Sequence, residues 1–249
     1  MAERQILEES SYKTVYREGN VIVKAFTASH PMSGVFNEAY IHACILDAGV
    51  PAPKLLGVSQ MNGGWAISME YMAGKTLEDL MRENPDKMDE YLEKLVDIQL
   101  ETGRYRVPQL RNTRLKMENA IKTLTDIDAS TRYELLQRLH GMARHTKLCH
   151  GDLVPSNIVM KEDGSYAILD WAHASAGNAG ADAAITYMRF SLDNPELAEK
   201  YLRLFCKKAD MPIQYIQTWM PIVAAFQLTK HKEAERPLLE KWISVAEYQ

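Results

Sequence analysis

The first seventy residues alternate apolar and polar positions in short runs, a pattern that predicts β-strands. Two such runs in TVYREGNVIVKAF flank residues 18–20, where Glu-Gly-Asn is typical of a hairpin turn. In the second run, Lys24 falls on the same face as Ile22 and Phe26, because side chains alternate along a strand. Two further runs around residues 62–64 (Asn-Gly-Gly) predict a second hairpin.

A single helix is predicted between these hairpins, in the segment MSGVFNEAYIHACILDAGV. Val35, Ala39, His42 and Leu46 recur there at helical spacing, and Gly49 stands where a helix C-cap is expected. The N-terminal part of the chain is therefore predicted to be an antiparallel sheet with one helix.

The pattern changes after Gly74. Thr76, followed by Asp79 three residues later, approximates a capping box at the start of a helix. From there to Arg144 the apolar positions follow a helical period with charged residues on the opposite face. We therefore expect a strand-rich lobe over residues 1–73 and a mainly helical lobe over residues 74–249.

The helical pattern is interrupted once and then resumes. Two short strand-like runs, NIVMK and YAILDW, flank residues 162–164 (Glu-Asp-Gly), which predicts a turn. Residues 211–229 carry no charge but contain two prolines and three glutamines. Because a membrane span needs about 20 predominantly apolar residues, a buried core helix is the better interpretation of this segment.

Composition excludes several classes of function. The 249 residues are 46% hydrophobic and 25% charged, as in an ordinary globular protein. A net charge of -4 provides neither a basic footprint for nucleic acid nor a polybasic lipid anchor. Three cysteines without a CxxC pair argue against disulfides and zinc, and no apolar signal segment begins the sequence. We therefore expect a cytoplasmic protein that binds neither nucleic acid nor membrane.

The segment HGDLVPSNIVM carries the strongest chemical signal. Asp152 precedes a predicted strand, where its carboxylate could face a reacting hydroxyl. Asn157 and Asp170 stand at the two ends of a strand–turn–strand unit, so that their oxygens can converge as ligands for Mg²⁺. His150 is more consistent with orienting this loop than with acting as a base. The alternative is that these residues only form turns and caps.

Lys24 and Glu38 are a candidate ion pair. A lysine on a half-buried strand face is costly unless it is paired, and Glu38 lies fourteen residues later in the predicted helix. Such a pair would hold the lysine against the α- and β-phosphates of a nucleotide. The alternative is an exposed edge-strand lysine and an unrelated surface glutamate.

Together, these segments resemble the aminoglycoside phosphotransferase and choline kinase-like family, the small-molecule branch of the protein-kinase-like fold. The resemblance runs from Tyr12 to about Tyr187 and includes VIVKAF, ISMEYMAGKTL, HGDLVPSNIVM and AILDW. Gly151 of the HGD motif, where protein kinases carry arginine, favours this branch. The resemblance implies an α+β, bilobal fold with a nucleotide-binding N-lobe, a helical C-lobe and a site in the cleft near Ala73.

The same resemblance implies an enzyme, a small-molecule kinase that uses ATP and Mg²⁺. It would transfer the γ-phosphate to a hydroxyl of a small-molecule acceptor. The residues implied as its site are the catalytic base Asp152, the metal ligands Asn157 and Asp170, the phosphate-positioning pair Lys24 and Glu38, and the adenine-binding backbone of Glu70 and Met72. Asp182 matches an acidic position that supports the helical lobe.

Two positions depart from the kinase pattern. EESSYKTVY contains no glycine where protein kinases have a glycine-rich phosphate loop, so Ser10 and Ser11 are the candidates there for binding phosphate, or are ordinary turn residues. Val154 stands where a lysine or histidine is usual. These departures motivate the alternative of a catalytically weak, nucleotide-binding regulatory module. A protein kinase is less favoured because no APE motif follows Asp170.

The sequence leaves the acceptor, the choice between ATP and GTP, and the oligomeric state open. From residue 183 onward there are nine basic and eight acidic residues. This balance weakly disfavours a polycationic aminoglycoside, which would prefer an acidic acceptor lobe, although local acids such as Glu233 and Glu235 could suffice.

Overall fold

The computed structural model describes residues 4–244, which form two compact units. The first comprises the described residues up to Pro85 together with Pro155–His173, and the second comprises Asp86–Val154 and the described residues from Ala174 onward. The first unit thus extends beyond Ala73, and the division of the chain into lobes after this residue stays a prediction.

Strands and helices occur in the following order. The strands are β1 (Arg4–Glu9), β2 (Lys13–Glu18), β3 (Val21–Phe26), β4 (Leu55–Met61), β5 (Gly64–Glu70), β6 (Lys75–Thr76), β7 (Lys147–Cys149), β8 (Ile158–Met160), β9 (Tyr166–Ile168) and β10 (Ser175–Gly177). The helices are α1 (Met32–Asp47), α2 (Leu77–Glu83), α3 (Met88–Thr102), α4 (Thr113–Thr123), α5 (Ala129–Gly141), α6 (Ala179–Asp193), α7 (Pro195–Ala209), α8 (Ile213–Leu228) and α9 (Arg236–Ser244).

The first unit is built on a five-stranded antiparallel sheet with the order β1-β2-β3-β5-β4. Both predicted hairpins are confirmed, and Gly19, Asn62 and Gly63 adopt the positive φ angles that such tight turns require. Helix α1 is also confirmed, and the buried side chains of Val35 and Ala39 on it pack against the sheet.

A second, three-stranded sheet completes the first unit. Its order is β6-β8-β9, so the hairpin predicted around residues 162–164 lies beside the short strand that precedes α2. Helix α2 begins at the predicted cap, where the Thr76 hydroxyl accepts a hydrogen bond of 3.0 Å from the Asp79 amide. The Ile168 amide donates to the Pro51 carbonyl at 2.8 Å, which connects β9 to the loop before β4.

The second unit is mainly helical. Helices α6, α7, α8 and α9 pack side by side around large buried residues such as Tyr201, Phe205 and Trp219. Helix α8 is the predicted buried core helix, and it contains Pro221. Within residues 4–244, no helix is long and apolar enough to cross a membrane. Strands β7 and β10 pair antiparallel, with Cys149 opposite Ser175, just before the HGD motif.

Candidate active site

Lys24 and Glu38 form the predicted pair, and Asp170 joins them. The Lys24 Nζ lies 2.7 Å from Glu38 Oε1 and 2.6 Å from Asp170 Oδ1. Only 7% of the Lys24 surface is exposed. Burial lowers the pKa of Lys24, but the charges of Asp170 and Glu38 outweigh this effect and raise the pKa above its ordinary value. The lysine is therefore held as a buried cation.

The backbone around Asp170 explains how its carboxylate reaches Lys24. Asp170 follows β9 and has a φ of 55°, a left-handed conformation that turns the chain sharply. The next residue, Trp171, is buried, and its indole nitrogen donates to the Ile168 carbonyl at 2.9 Å. The turn over residues 171–173 packs against α1, the helix that carries Glu38. Two elements of one unit thus fix both carboxylates.

Asn157 lies beside the Asp170 segment, as the strand–turn–strand prediction requires. It ends a short 3₁₀ turn before β8, and its carbonyl accepts a hydrogen bond of 2.8 Å from the Leu169 amide. This bond places the backbones of the two predicted metal ligands next to one another. A carboxylate and an amide oxygen are hard donors of the kind that Mg²⁺ prefers, so this donor set fits the ion.

The predicted adenine-binding segment continues from β5. The Glu70 amide donates to the Lys54 carbonyl at 2.9 Å, and the Tyr71 amide donates to the Asn20 carbonyl at 2.9 Å. These bonds fix the chain immediately before Met72 in a defined, extended path. Whether Glu70 and Met72 bind adenine stays a prediction.

Ser10 belongs to the turn between β1 and β2. Its amide donates to the Lys13 carbonyl at 2.9 Å, and its hydroxyl accepts a hydrogen bond of 3.2 Å from the Lys13 amide. The polar groups of Ser10 therefore stabilise the turn itself, while Ser11 is exposed. The phosphate-binding role of Ser10 and Ser11 stays a prediction.

In the second unit, hydrogen bonds to Asp182 and His150 hold the HGD loop in place. Gly151 has a φ of 81°, and its amide donates to Asp182 Oδ1 at 2.7 Å. The Asp152 amide donates to Nδ1 of the fully buried His150 at 3.2 Å. Burial raises the pKa of the Asp182 carboxyl, although hydrogen bonds from Gly151 and other groups act in the opposite direction. The structure therefore gives Asp182 and His150 contacts that shape the loop.

The carboxylate of Asp152 faces a basic side chain that sequence analysis did not select. Arg189 Nε lies 3.3 Å from Asp152 Oδ1, and Arg189 Nη1 lies 3.2 Å from Glu235 Oε1. The Asp152 side chain remains 25% exposed. Asp152 is therefore both paired with a cation and partly open to solvent.

Two further residues that support this loop were also missed. Thr186 donates to the Leu153 carbonyl at 3.0 Å, and Gln99 on α3 donates to both Asp182 and Thr186. A signal was available for the α6 residues, because Asp182, Thr186 and Arg189 follow one another at i, i+4 and i+7 on a single helix face. No comparable signal marks Gln99, which lies on another helix.

The sequence matches a model of the phosphotransferase enzyme family over residues 4–213. Since this match spans most of the chain, the protein belongs to the phosphotransferase enzyme family. No curated protein matches the sequence.

Solved structures similar to this chain include aminoglycoside phosphotransferases and a choline kinase. A thermostable mutant of aminoglycoside phosphotransferase APH(4)-Ia in its apo form has a TM-score of 0.72 at 13% identity, covering 98% of this chain and 94% of that one. Its ternary complex with ADP and hygromycin B has a TM-score of 0.72 at 14% identity, covering 98% and 92%. Choline kinase LicA from Streptococcus pneumoniae has a TM-score of 0.61 at 16% identity, covering 99% and 94%.

These findings confirm three predictions made from the sequence. They are the family, the α+β protein-kinase-like fold, and an enzymatic activity as a phosphotransferase. The roles of the individual site residues stay predictions.

Proposed function

We propose that the chain transfers the γ-phosphate of ATP to a hydroxyl of a small molecule, using the residues described above. The observation that carries this assignment is the position of Lys24 between Glu38 and Asp170 in the first unit. Burying an ammonium group and two carboxylates has a desolvation cost. A lysine that binds phosphate oxygens during phosphoryl transfer would explain why the protein keeps this group.

Mg²⁺ would be held by Asn157 and Asp170. The ion neutralises negative charge on the phosphate oxygens when it is bound. Two protein oxygens would leave the other ligands of the ion to phosphate oxygens and water, which is typical of Mg²⁺ in phosphoryl-transfer enzymes. In this scheme the Lys24 ammonium binds phosphate oxygens, and its ion pair with Glu38 keeps it in place.

Asp152 would act on the acceptor. Its carboxylate accepts or orients the hydroxyl proton, so that the oxygen can attack the γ-phosphorus in line with the departing ADP. The hydrogen bond from Gly151 to Asp182 fixes the loop, and the ion pair with Arg189 keeps the Asp152 carboxylate in one orientation. In this mechanism most residues position the reacting groups, and only Asp152 takes part in proton transfer.

The comparisons support a nucleotide donor and a small-molecule acceptor. Similar structures hold ADP or AMP-PNP together with hygromycin B, and another is a choline kinase. We also propose a cytoplasmic location, since Cys44, Cys149 and Cys206 are buried free thiols.

The test is ADP release from ATP and Mg²⁺ in the presence of a panel of hydroxyl compounds. We expect at least one compound to raise ADP release well above the rate in water and to be recovered as a phosphate ester. Nucleotide binding without transfer to any compound would contradict the proposal and favour a regulatory nucleotide-binding module.

A further inference from the structure

Two basic side chains of the second unit act on Asp152. Arg189 pairs with Asp152 at 3.3 Å, and Lys230, which follows α8, acts electrostatically on the same carboxylate. Lys116 on α4 lies close enough to Lys230 to act on it electrostatically. Its Nζ lies 5.7 Å from the centroid of the Phe226 ring, and the Nζ of Lys230 lies 5.9 Å from that same centroid.

Among the groups that these contacts connect, acidic side chains are fewer than basic ones. Glu235, named in the sequence analysis as a possible contact for a cationic acceptor, is buried and accepts from three donors. They are Arg189 at 3.2 Å, Lys232 at 3.1 Å and Gln227 at 2.6 Å. The Glu235 carboxylate is therefore already paired with groups of the protein itself.

Within the described residues, these contacts connect four cations, Lys116, Arg189, Lys230 and Lys232, with two acids, Asp152 and Glu235, a difference of two positive charges. Arg111 and the buried Asp182 also act on Lys116, with effects of opposite sign.

The protein holds these charges close together at a cost. Burial, followed by repulsion from Lys230 and Arg111, lowers the pKa of Lys116 to about 8. Burial also lowers the pKa of Lys230. A group of cations that disfavour one another is stabilised by an anion, which would relieve their repulsion.

We propose that the acceptor hydroxyl is carried by an anionic small molecule, whose carboxylate or phosphate group binds to Lys116, Lys230 and Arg189 beside Asp152. This inference rests on the proposed function and names its substrate class. An aminoglycoside would bring several positive charges to a site that is already positive. Choline would bring a quaternary ammonium to Phe226, the ring that two lysines already approach.

The experiment measures anion binding directly and does not depend on turnover. The protein is loaded with AMP-PNP and Mg²⁺, so that the γ-phosphate position is filled, and is titrated by calorimetry with inorganic phosphate, acetate and choline. We expect an anion to bind and choline not to bind. Tighter binding of phosphate than of acetate indicates a phosphorylated acceptor, and the reverse order indicates a carboxylic acid.

Substitutions test whether Lys116 and Lys230 bind the anion. Lys116→Met and Lys230→Met should each weaken binding of the anion about tenfold, because each removes one charge-assisted contact. Lys207→Met, which removes an exposed lysine on α7, should leave it unchanged. Circular dichroism confirms that each variant is folded, and Lys230→Arg, which keeps the charge, should retain anion binding.

Three results would overturn the proposal: no binding of either anion, binding of choline in preference to both, or equal anion binding in wild type, Lys116→Met and Lys230→Met. Anion binding in a protein that transfers no phosphate would instead disprove the proposed function and leave the anion site in place. The two proposals therefore fail in distinguishable ways.

Discussion

At the scale of single residues, several charged side chains are held in place against the cost of burial. Lys24 is stable as a buried cation because two carboxylates contact it directly. Lys116 and Lys230 share one aromatic ring, and burial lowers the pKa of each. These three lysines differ from the exposed lysines of the chain, and their substitution should have different consequences.

Replacing Lys24 by methionine should destabilise the protein. The change leaves Glu38 and Asp170 beside one another without their shared cation, which typically costs about 3 kcal/mol for a buried pair. The matched control is Lys75→Met, which breaks an exposed ion pair of 2.6 Å with Glu83 and should change stability by less than about 1 kcal/mol. Urea unfolding at pH 7 measures both. Equal effects of the two substitutions would contradict the structural role of Lys24.

Replacing Lys116 by methionine should have the opposite effect on stability. The folded protein binds the Lys116 proton less tightly than the unfolded chain, because the pKa is lowered from 10.5 to about 8. The charged Lys116 therefore lowers the free energy of unfolding, and this destabilisation is present in full below about pH 8. It decreases as the pH rises from about 8 to 10.5, because in this range the folded protein loses the proton while the unfolded chain still keeps it.

Lys116→Met should therefore be more stable than wild type at pH 7, on the order of 2 kcal/mol, with a smaller advantage at pH 10. Thermal unfolding of both proteins from pH 7 to pH 10 measures the difference in their stabilities. The contributions of the other titrating groups are the same in both proteins and cancel in this difference. An advantage that grows with pH would show that the lowered pKa has been assigned the wrong sign.

At the scale of elements, the sequence predicted those that have a strong local pattern. The two hairpins of the first sheet were predicted because glycine and asparagine mark their turns, and α1 because Val35 and Ala39 repeat at helical spacing. Strand β1 was not predicted, since all six of its side chains are exposed and it has no buried face to produce alternation. Its pairing with β2 comes from backbone hydrogen bonds, which leave no mark on the hydrophobic pattern.

Part of the candidate site was also predictable from the sequence. Lys24 was found because a lysine on a half-buried strand face needs a partner, and Glu38 because it follows in the next predicted helix. Asp170 was found from its place at the end of a strand–turn–strand unit, and the structure brings the three residues together. Arg189 was missed because an arginine on a helix is ordinary until the fold places it 3.3 Å from Asp152. Such long-range contacts depend on the packing of whole helices.

Helix α6 supplies the support for the HGD loop, and Asp182 is its principal contact. Asp182→Ala leaves the Gly151 amide without its acceptor, so stability should fall by about 2 kcal/mol and phosphoryl transfer should fall with it. Asp182→Asn keeps an oxygen at this position and should retain most of both. Asp97→Ala, at an exposed position on α3, is the control. Urea unfolding and ADP release test these expectations, and identical behaviour of the alanine and asparagine variants would contradict them.

At the scale of the whole molecule, the proposed function divides between the two units. Residues proposed to bind nucleotide and metal, among them Lys24, Asn157 and Asp170, belong to the first unit, and the proposed base Asp152 belongs to the second. Substitutions in the two groups should therefore separate binding of the nucleotide from transfer of its phosphate. Fold and family do not determine the acceptor.

The paired variants Asp152→Asn and Asp170→Asn test the central claim most directly. For each, ATP affinity is measured with and without Mg²⁺, and transfer is measured as ADP release with an acceptor from the panel. We expect Asp152→Asn to keep the wild-type ATP affinity and lose about 10²–10⁴-fold in transfer, because only the base is removed. Asp170→Asn should lose both transfer and the Mg²⁺-dependent part of ATP affinity, since a neutral amide is a poorer ligand. Wild-type transfer by Asp152→Asn, or full Mg²⁺ enhancement in Asp170→Asn, would contradict the account.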